Sequence, residues 1–238
     1  MEAYKGNSLI SIFRSMEILM EFPRQVIVLK NTGKICGLRG GQSGLQRRMI
    51  DERQTTEFPK FCRALRAAER GDTRLRQEIL ENGRAADSHL DRILASAPIM
   101  PDGIQELSKE FTPNELKAIR THQPLPGSLI HKATKFMTEL TILTIKGHPN
   151  PPPPFRNPVE MWNSFHFHHA VCAFFWSLDW ISKGTSNNVR ADRIRNDLVD
   201  VIFATYATYF DGLMSQDAKV LRIYREAAFV LKAITGSP

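Results

Sequence analysis

The sequence predicts an α/β fold, helix-rich overall, in which a small parallel sheet is surrounded by many helices. Two observations carry this prediction: long stretches with helical spacing of apolar residues, and short apolar runs far apart in the chain. A parallel pair of strands needs a crossover connection, which is usually a helix. Strand–helix–strand order therefore predicts a parallel sheet. The 238 residues, 42% of them hydrophobic, are enough for a conventional core.

Two segments are predicted to be strands. Gln25-Val-Ile-Val-Leu29 is an apolar run that lies between Pro23 and the turn residues Asn31-Thr-Gly33. Gly212-Leu-Met-Ser215 follows the turn signal Asp211-Gly212, in which Asp211 orders the turn. With a helical region between them, the two runs would be the strands of the sheet.

Helices are predicted on both sides of a proline-rich segment. Thr112-Pro-Asn-Glu115 has the pattern of a capping box with proline at the first helical position, so a helix begins there. The segment from Val159 to Ser182 is rich in aromatic residues and is predicted to be a buried helix. The other helical spans lie at about 56–70, 72–97, 129–145, 192–209 and 217–234.

We expect a single domain, 1–238, with a helical insertion at about 55–147 and a proline-rich connector at 148–158. The connector contains His148-Pro-Asn-Pro-Pro-Pro-Pro154, which is neither helix nor central strand. We interpret it as a stiff, extended linker. The alternative is that the prolines dock into an aromatic groove.

The charge pattern favours an anionic partner. The formal net charge is +7, and no acidic residue lies between Glu21 and Asp51. Glycines alternate there with basic residues, so the backbone can approach a phosphate chain. A solvated basic loop is the alternative. The predicted nucleic-acid-binding residues of this stretch are Arg24, Lys30, Lys34, Arg39, Arg47 and Arg48.

The sequence also predicts a cytoplasmic protein without a membrane partner. No uncharged apolar stretch reaches the roughly 18 residues that a spanning helix needs. The first residues lack the basic flank and cleavage site of a secretory signal. The cysteines Cys36, Cys62 and Cys172 have no CxxC spacing and are expected to be reduced thiols.

Three aspartates form the candidate site. Asp197 and Asp200 share one face at the start of a buried helix, and Asp217 follows the predicted strand 212–215. Converging carboxylates stay ionised only if a cation lies among them, and oxygen ligands suit Mg²⁺ or Mn²⁺. The alternatives are ordinary favourable charges at a helix start and, for Asp217, a helix cap.

This order of residues, Asn-Asp-x-x-Asp, an apolar helix and a short run that ends Ser-x-Asp217 before Lys219, resembles the C-terminal half of PIN-like nuclease domains. It is similar to the larger, helix-rich bacterial members. The resemblance implies a metal-dependent endoribonuclease, acting on RNA in preference to DNA, and fits a toxin or defence effector. Bound Mg²⁺ or Mn²⁺ would generate the attacking hydroxide.

The resemblance also implies roles for individual residues. Asp197 or Asp200 would be the helix carboxylate, Asp217 the strand-end carboxylate, and Glu139 an earlier catalytic acid. Lys219 is assigned to nucleic-acid binding. The first strand departs from the family, because Lys30 stands where an aspartate is expected; Glu17, Glu21 and Asp51 are the nearby acids that could replace it.

A second function follows from this departure. A catalytically impaired PIN-like scaffold would bind nucleic acid or a partner protein without cutting, and a homodimer is compatible with it. Two further motifs point to other kinds of site. His166, His168, His169 and Cys172 have partial zinc-ligand spacing but sit among aromatic residues, which suits packing. Arg84 and His89 have the spacing of HEPN-type ribonucleases, but this match is readily produced by chance.

Overall fold

The computed structural model describes residues 9–39, 45–83, 100–121, 127–149, 151–184 and 190–235. These residues form helices joined by turns and extended segments. The helices are α1 (Leu9–Glu21), α2 (Thr32–Ile35), α3 (Leu45–Met49), α4 (Glu52–Glu69), α5 (73–83), α6 (Met100–Lys109), α7 (Pro113–Arg120), α8 (Gly127–Gly147), α9 (Pro158–Trp162), α10 (Phe165–Ser182), α11 (Ala191–Ala207) and α12 (Ala218–Thr235).

The predicted α/β class with a parallel sheet is wrong. In the described ranges, the β pairing consists of one isolated antiparallel bridge, between Leu29 and Ile50. Residues 212–215 have no regular secondary structure and belong to no strand. Both predicted strands are short apolar runs, and such a run becomes a strand only if a partner strand lies beside it. None of the described helices is long and apolar enough to cross a membrane.

The chain divides into two compact units. The N-terminal unit comprises Met1–Lys30 and Arg47–Ala95, and the C-terminal unit comprises Asn31–Gln46 and Ser96–Pro238. The expected connector at 148–158 falls inside the C-terminal unit, between α8 and α9.

The N-terminal unit has a small core to which α1, α4 and α5 contribute. Its buried residues are Ile12, Met20, Phe58, Cys62, Leu65, Ala68 and Ile79. Val26 and Val28 of the first predicted strand pack against this core. The backbone N–H of Lys30 donates to Met49 O at 2.8 Å, and that of Asp51 donates to Val28 O at 2.8 Å. The pairing stops there because Asp51 caps α4.

The C-terminal unit is built around α10, which is buried along nearly its whole length. The helices α6, α7, α8, α9, α11 and α12 pack around it. The predicted aromatic core is confirmed, since Phe167, Phe174 and Trp176 are all buried in this unit. The predicted helix from Val159 is interrupted by a turn, after which Ser164 caps α10.

The capping box that begins α7 is confirmed. Thr112 Oγ1 accepts the N–H of Glu115, and the Glu115 carboxylate accepts the N–H of Thr112. Glu115 is buried, and Lys132 and Ser128 donate to it at 2.7 and 2.6 Å. These hydrogen bonds lower the pKa of Glu115 to about 2, so the carboxylate is ionised at neutral pH.

Candidate functional site

A pocket of about 160 Å³ lies in the C-terminal unit where α10 ends and α11 and α12 begin. It is called the charged pocket here. Three cations and two carboxylates line it together with an indole ring, and its residues are Asp179, Trp180, Lys183, Gly184, Arg193, Asp197 and Lys219.

Asp197 is one of the two buried acids of the charged pocket. It is 5% exposed, and its Oδ2 accepts the indole N–H groups of Trp176 and Trp180, each at 3.1 Å. Its Oδ1 accepts the ammonium of Lys219. Burial alone would raise the pKa of Asp197, but the ammonium and the two indoles outweigh it and lower that pKa. Asp197 is therefore an ionised carboxylate held by three donors.

Asp200 lies three residues further along α11 and shares the same lysine. Lys219 Nζ is 3.6 Å from Asp200 Oδ2. Burial and the nearby carboxylates of Asp217 and Asp197 raise the pKa of Asp200, although Lys219 opposes them. Asp200 is thus the weaker partner of Lys219.

A second set of ion pairs surrounds Asp179 at the end of α10. The side chain of Asp179 is 3% exposed, and its two oxygens accept from Arg222 and from Lys183, the latter at 2.6 Å. Burial and the neighbouring charges of Lys219 and Arg193 lower the pKa of Lys183. Because two cations pair with the single carboxylate of Asp179, positive charge is in excess on this side of the charged pocket.

Asp217 has a different role. It is exposed, and its Oδ1 accepts the backbone N–H groups of Lys219 and Val220 at 2.7 and 3.2 Å. It thereby satisfies two N–H groups at the start of α12, which is the action of a helix cap. Of the three predicted metal ligands, the structure brings Asp197 and Asp200 to one ammonium and turns Asp217 towards the backbone.

These residues do not fit Mg²⁺ or Mn²⁺. The position between Asp197 and Asp200 that a divalent ion would take is filled by the ammonium of Lys219. Both oxygens of Asp197 already accept hydrogen bonds. Over the described ranges, no group of three His, Cys, Asp or Glu side chains could hold a metal ion. The cation required by the clustered carboxylates is a lysine of the chain itself.

The other predicted catalytic acid lies elsewhere. Glu139 is exposed on α8, where Lys135 Nζ is 4.0 Å from its carboxylate. It does not line the charged pocket. An exposed pair of this kind contributes little to stability.

The basic stretch from Arg24 to Arg48 is divided between the two units. Arg24, Lys30, Arg47 and Arg48 belong to the N-terminal unit, whereas Lys34 and Arg39 belong to the C-terminal unit. The Lys30 ammonium donates to the backbone carbonyl of Arg48 at 2.5 Å. Lys30 therefore helps to hold the chain beside the Leu29–Ile50 bridge.

The histidines of α10 are held by threonine hydroxyls. The Nδ1 atoms of His166 and His168 lie 3.2 and 2.7 Å from Thr144 Oγ1 and Thr208 Oγ1. His168 also stacks on Tyr209, with ring centroids 4.1 Å apart. Burial lowers the pKa of His166 to about 4 and that of His168 to about 3, so both rings are neutral. His166 and His168 are therefore packed interior groups.

Arg84 and His89, the residues with the spacing of HEPN-type ribonucleases, lie outside the described residues.

The sequence interpretation missed several residues that line the charged pocket or contact its carboxylates. Trp176 and Trp180 lie in the segment predicted only as a buried aromatic helix, although their indole N–H groups converge on Asp197. Asp179 and Lys183 were not singled out. In both cases the members of the pair are four residues apart on a helix, so they share a face, and this spacing was the available signal.

Comparison with protein-family models, with curated proteins and with solved structures finds no match for this chain. The resemblance to PIN-like nuclease domains is therefore wrong: no family model supports it, and the described residues contain no sheet.

Proposed function

We propose that this protein binds nucleic acid, and that the charged pocket holds a phosphate group of the backbone. The observation that carries the proposal is the state of the two carboxylates that line the pocket. Asp179 and Asp197 each accept from cations of the chain, so neither is left to repel an anion with its full charge. Lys183, Arg193 and Lys219 surround the same space.

Arg193 is the cation best placed to meet a ligand. In the described part of the chain, no ion pair is formed by its guanidinium, unlike those of Arg190 and Arg222. A guanidinium binds a phosphate through two parallel hydrogen bonds. Lys183, whose side chain is 55% exposed, supplies a second cation beside it.

The lowered pKa of Lys183 supports the same proposal. Burial and the charges of Lys219 and Arg193 make the ammonium of Lys183 less favourable than in water. A bound phosphate would offset both effects, because its negative charge lies next to all three cations. The net charge of +7 adds a long-range attraction for a polyanion.

Cleavage is not proposed, because the ammonium of Lys219 contacts both Asp197 and Asp200, the two carboxylates of α11 that were predicted to hold a metal. The metal-dependent endoribonuclease stays a prediction. The preference for RNA over DNA also stays a prediction, and the binding experiment has an arm for each.

The experiment is filter binding of end-labelled single-stranded RNA and of DNA with the same sequence, in chelator, at several salt concentrations. We expect binding that weakens steeply between about 50 and 200 mM salt. Arg193→Glu should weaken it by about tenfold or more, whereas Arg225→Glu, an exposed arginine of α12 outside the charged pocket, should have a smaller effect.

Equal losses in the two variants would show general charge attraction and contradict the assignment to the charged pocket. No binding to either strand would contradict the function. The same labelled strands, incubated with Mn²⁺ or Mg²⁺, test the nuclease prediction directly. Cutting that is lost in Asp197→Asn would show that Lys219 yields its place to a metal.

A further inference from the structure

Residues 151–156, Pro151-Pro-Pro-Pro154-Phe155-Arg156, are a surface segment between α8 and α9 without helix or strand. Consecutive prolines favour the polyproline II helix, which has three residues in each turn. Such a helix has three edges, and here these are 151/154, 152/155 and 153/156. Pro152 is buried and Phe155 half-buried, whereas the other four residues are exposed. The exposure pattern therefore has the three-residue period: one edge faces the C-terminal unit and two face solvent.

The end of this segment is fixed in place. The backbone N–H of Arg156 donates to the carboxylate of Glu160 at 2.7 Å, and Asn157 accepts the N–H of Glu160 at 3.0 Å. Glu160 is itself buried. These contacts hold the backbone and leave the Arg156 side chain exposed. The segment is thus presented with little conformational entropy left to lose on binding.

We propose that residues 151–156 dock into an aromatic-lined groove of a partner domain that binds polyproline II helices and has an acidic pocket beside the groove. Domains of this class recognise the spacing P-x-x-P. Pro151 and Pro154 supply it on one exposed edge, and Arg156 supplies a cation at the end of the adjacent exposed edge. A three-edged rod that lies in a groove contacts it with two edges, and the third edge is the one buried against this protein.

The inference does not rest on nucleic-acid binding. Its test is isothermal titration of the full chain with an isolated SH3 domain that selects P-x-x-P-x-Arg ligands. We expect binding with one domain per chain. The double variant Pro151→Ala, Pro154→Ala should weaken it by about tenfold or more, and so should Arg156→Glu. Arg120→Glu, an exposed arginine of the same unit, is the matched control and should bind as the wild type does.

Circular dichroism of each variant checks that the fold is kept, which is expected because all four substituted side chains are exposed. Absence of binding by the wild type would overturn the proposal. Unchanged affinity of the double proline variant would also overturn it, because the P-x-x-P edge would then make no contact. Equal losses in Arg156→Glu and Arg120→Glu would reduce the interaction to general charge attraction and overturn it too.

Discussion

The two halves of α10 carry ionisable side chains that differ in ionisation: those in the first half are neutral, and the one in the second half is charged. The first half carries His166, His168 and His169, whose hydrogen-bond partners are neutral threonine hydroxyls. Burial lowers their pKa values to about 4, 3 and 4, so they are uncharged at neutral pH. The second half carries Asp179, which stays charged between Lys183 and Arg222.

The difference shows which partners can keep a charge inside this protein. A hydroxyl offers one hydrogen bond, which does not compensate for the lost hydration of an imidazolium. A lysine or arginine offers a full opposite charge as well. Asp197 is the clearest case: burial raises its pKa, yet Lys219 and the two indoles reverse the direction. In the C-terminal unit, neutral partners produce neutral groups and charged partners preserve charged ones.

Acid is expected to have the largest effect on the free energy of unfolding, because it protonates the histidines in the first half of α10. The folded-state pKa values of the three histidines lie below the unfolded value of about 6.5. Their stabilising contribution is therefore complete above pH 6.5 and is lost as the pH falls towards 4. Each histidine changes the free energy of unfolding by about 1.4 kcal/mol per pH unit in that window, so together they change it by about 4 kcal/mol per pH unit.

Urea unfolding at pH values between 7.5 and 4.5, followed by circular dichroism, measures this slope. His168→Gln should reduce this slope by about 1.4 kcal/mol per pH unit, the contribution of one proton. His131→Gln, a matched change at an exposed histidine of α8, should leave it unaltered. A free energy of unfolding that stays constant from pH 7 to pH 5 would contradict the assignment of neutral, buried histidines.

Removal of the Lys219 ammonium should have the next largest effect on the free energy of unfolding. In Lys219→Met, Asp197 keeps its two indole donors but loses its counter-charge, and we expect a loss of about 3 kcal/mol at pH 7. The pKa of Asp197 should then rise, because burial acts unopposed. The difference from the wild type should therefore shrink as the pH falls and the carboxylate becomes protonated.

Lys232→Met, at an exposed lysine on the same helix, is the control for the removal of a surface charge. Urea unfolding of both variants at pH 7 and pH 4.5 gives the comparison. If Lys219→Met cost no more than Lys232→Met, the ion pair with Asp197 would contribute nothing to stability, and the rule that charged partners preserve charged groups would fail for its clearest case.

The smallest effect on the free energy of unfolding is expected at Asp200. It allows a comparison of two carboxylates, Asp200 and Asp197, that contact the same lysine. The pKa of Asp200 is raised, so its ionised form is already disfavoured, and its carboxylate is 3.6 Å from Lys219. Asp200→Asn should change the free energy of unfolding by no more than about 0.5 kcal/mol. Asp197→Asn should cost several times more, since it leaves Lys219 without its nearest counter-charge. Comparable losses in chemical denaturation would mean that both carboxylates share the ammonium equally.

The helices of the C-terminal unit were largely predictable because their signals are local. The capping box at Thr112, the aromatic pattern of α10 and the start of α12 after Asp217 all depend on residues within a few positions of one another. The predicted bounds of α11 and α12 differ from the observed ones by one or two residues, which is the usual uncertainty of helix ends.

The strands failed for a different reason, and the metal site stays a prediction. Whether Gln25–Leu29 or residues 212–215 pair depends on what lies beside them, and that information is not contained in a short apolar run. Asp197 and Asp200 do have a cation between them, and it is the ammonium of Lys219. Sequence alone could not decide between a bound ion and Lys219, because the two satisfy the same charge requirement.

The contact between Trp176, Trp180 and Asp197 has an optical consequence. Indole emission responds to the charge around the ring and to the hydrogen bond made by its N–H group. Two of the three tryptophans of the chain donate to one buried carboxylate, and one of them lines the charged pocket. The protein therefore carries an unlabelled fluorescent reporter at that carboxylate, which makes the arrival of an anion or the protonation of Asp197 observable by titration of intrinsic fluorescence.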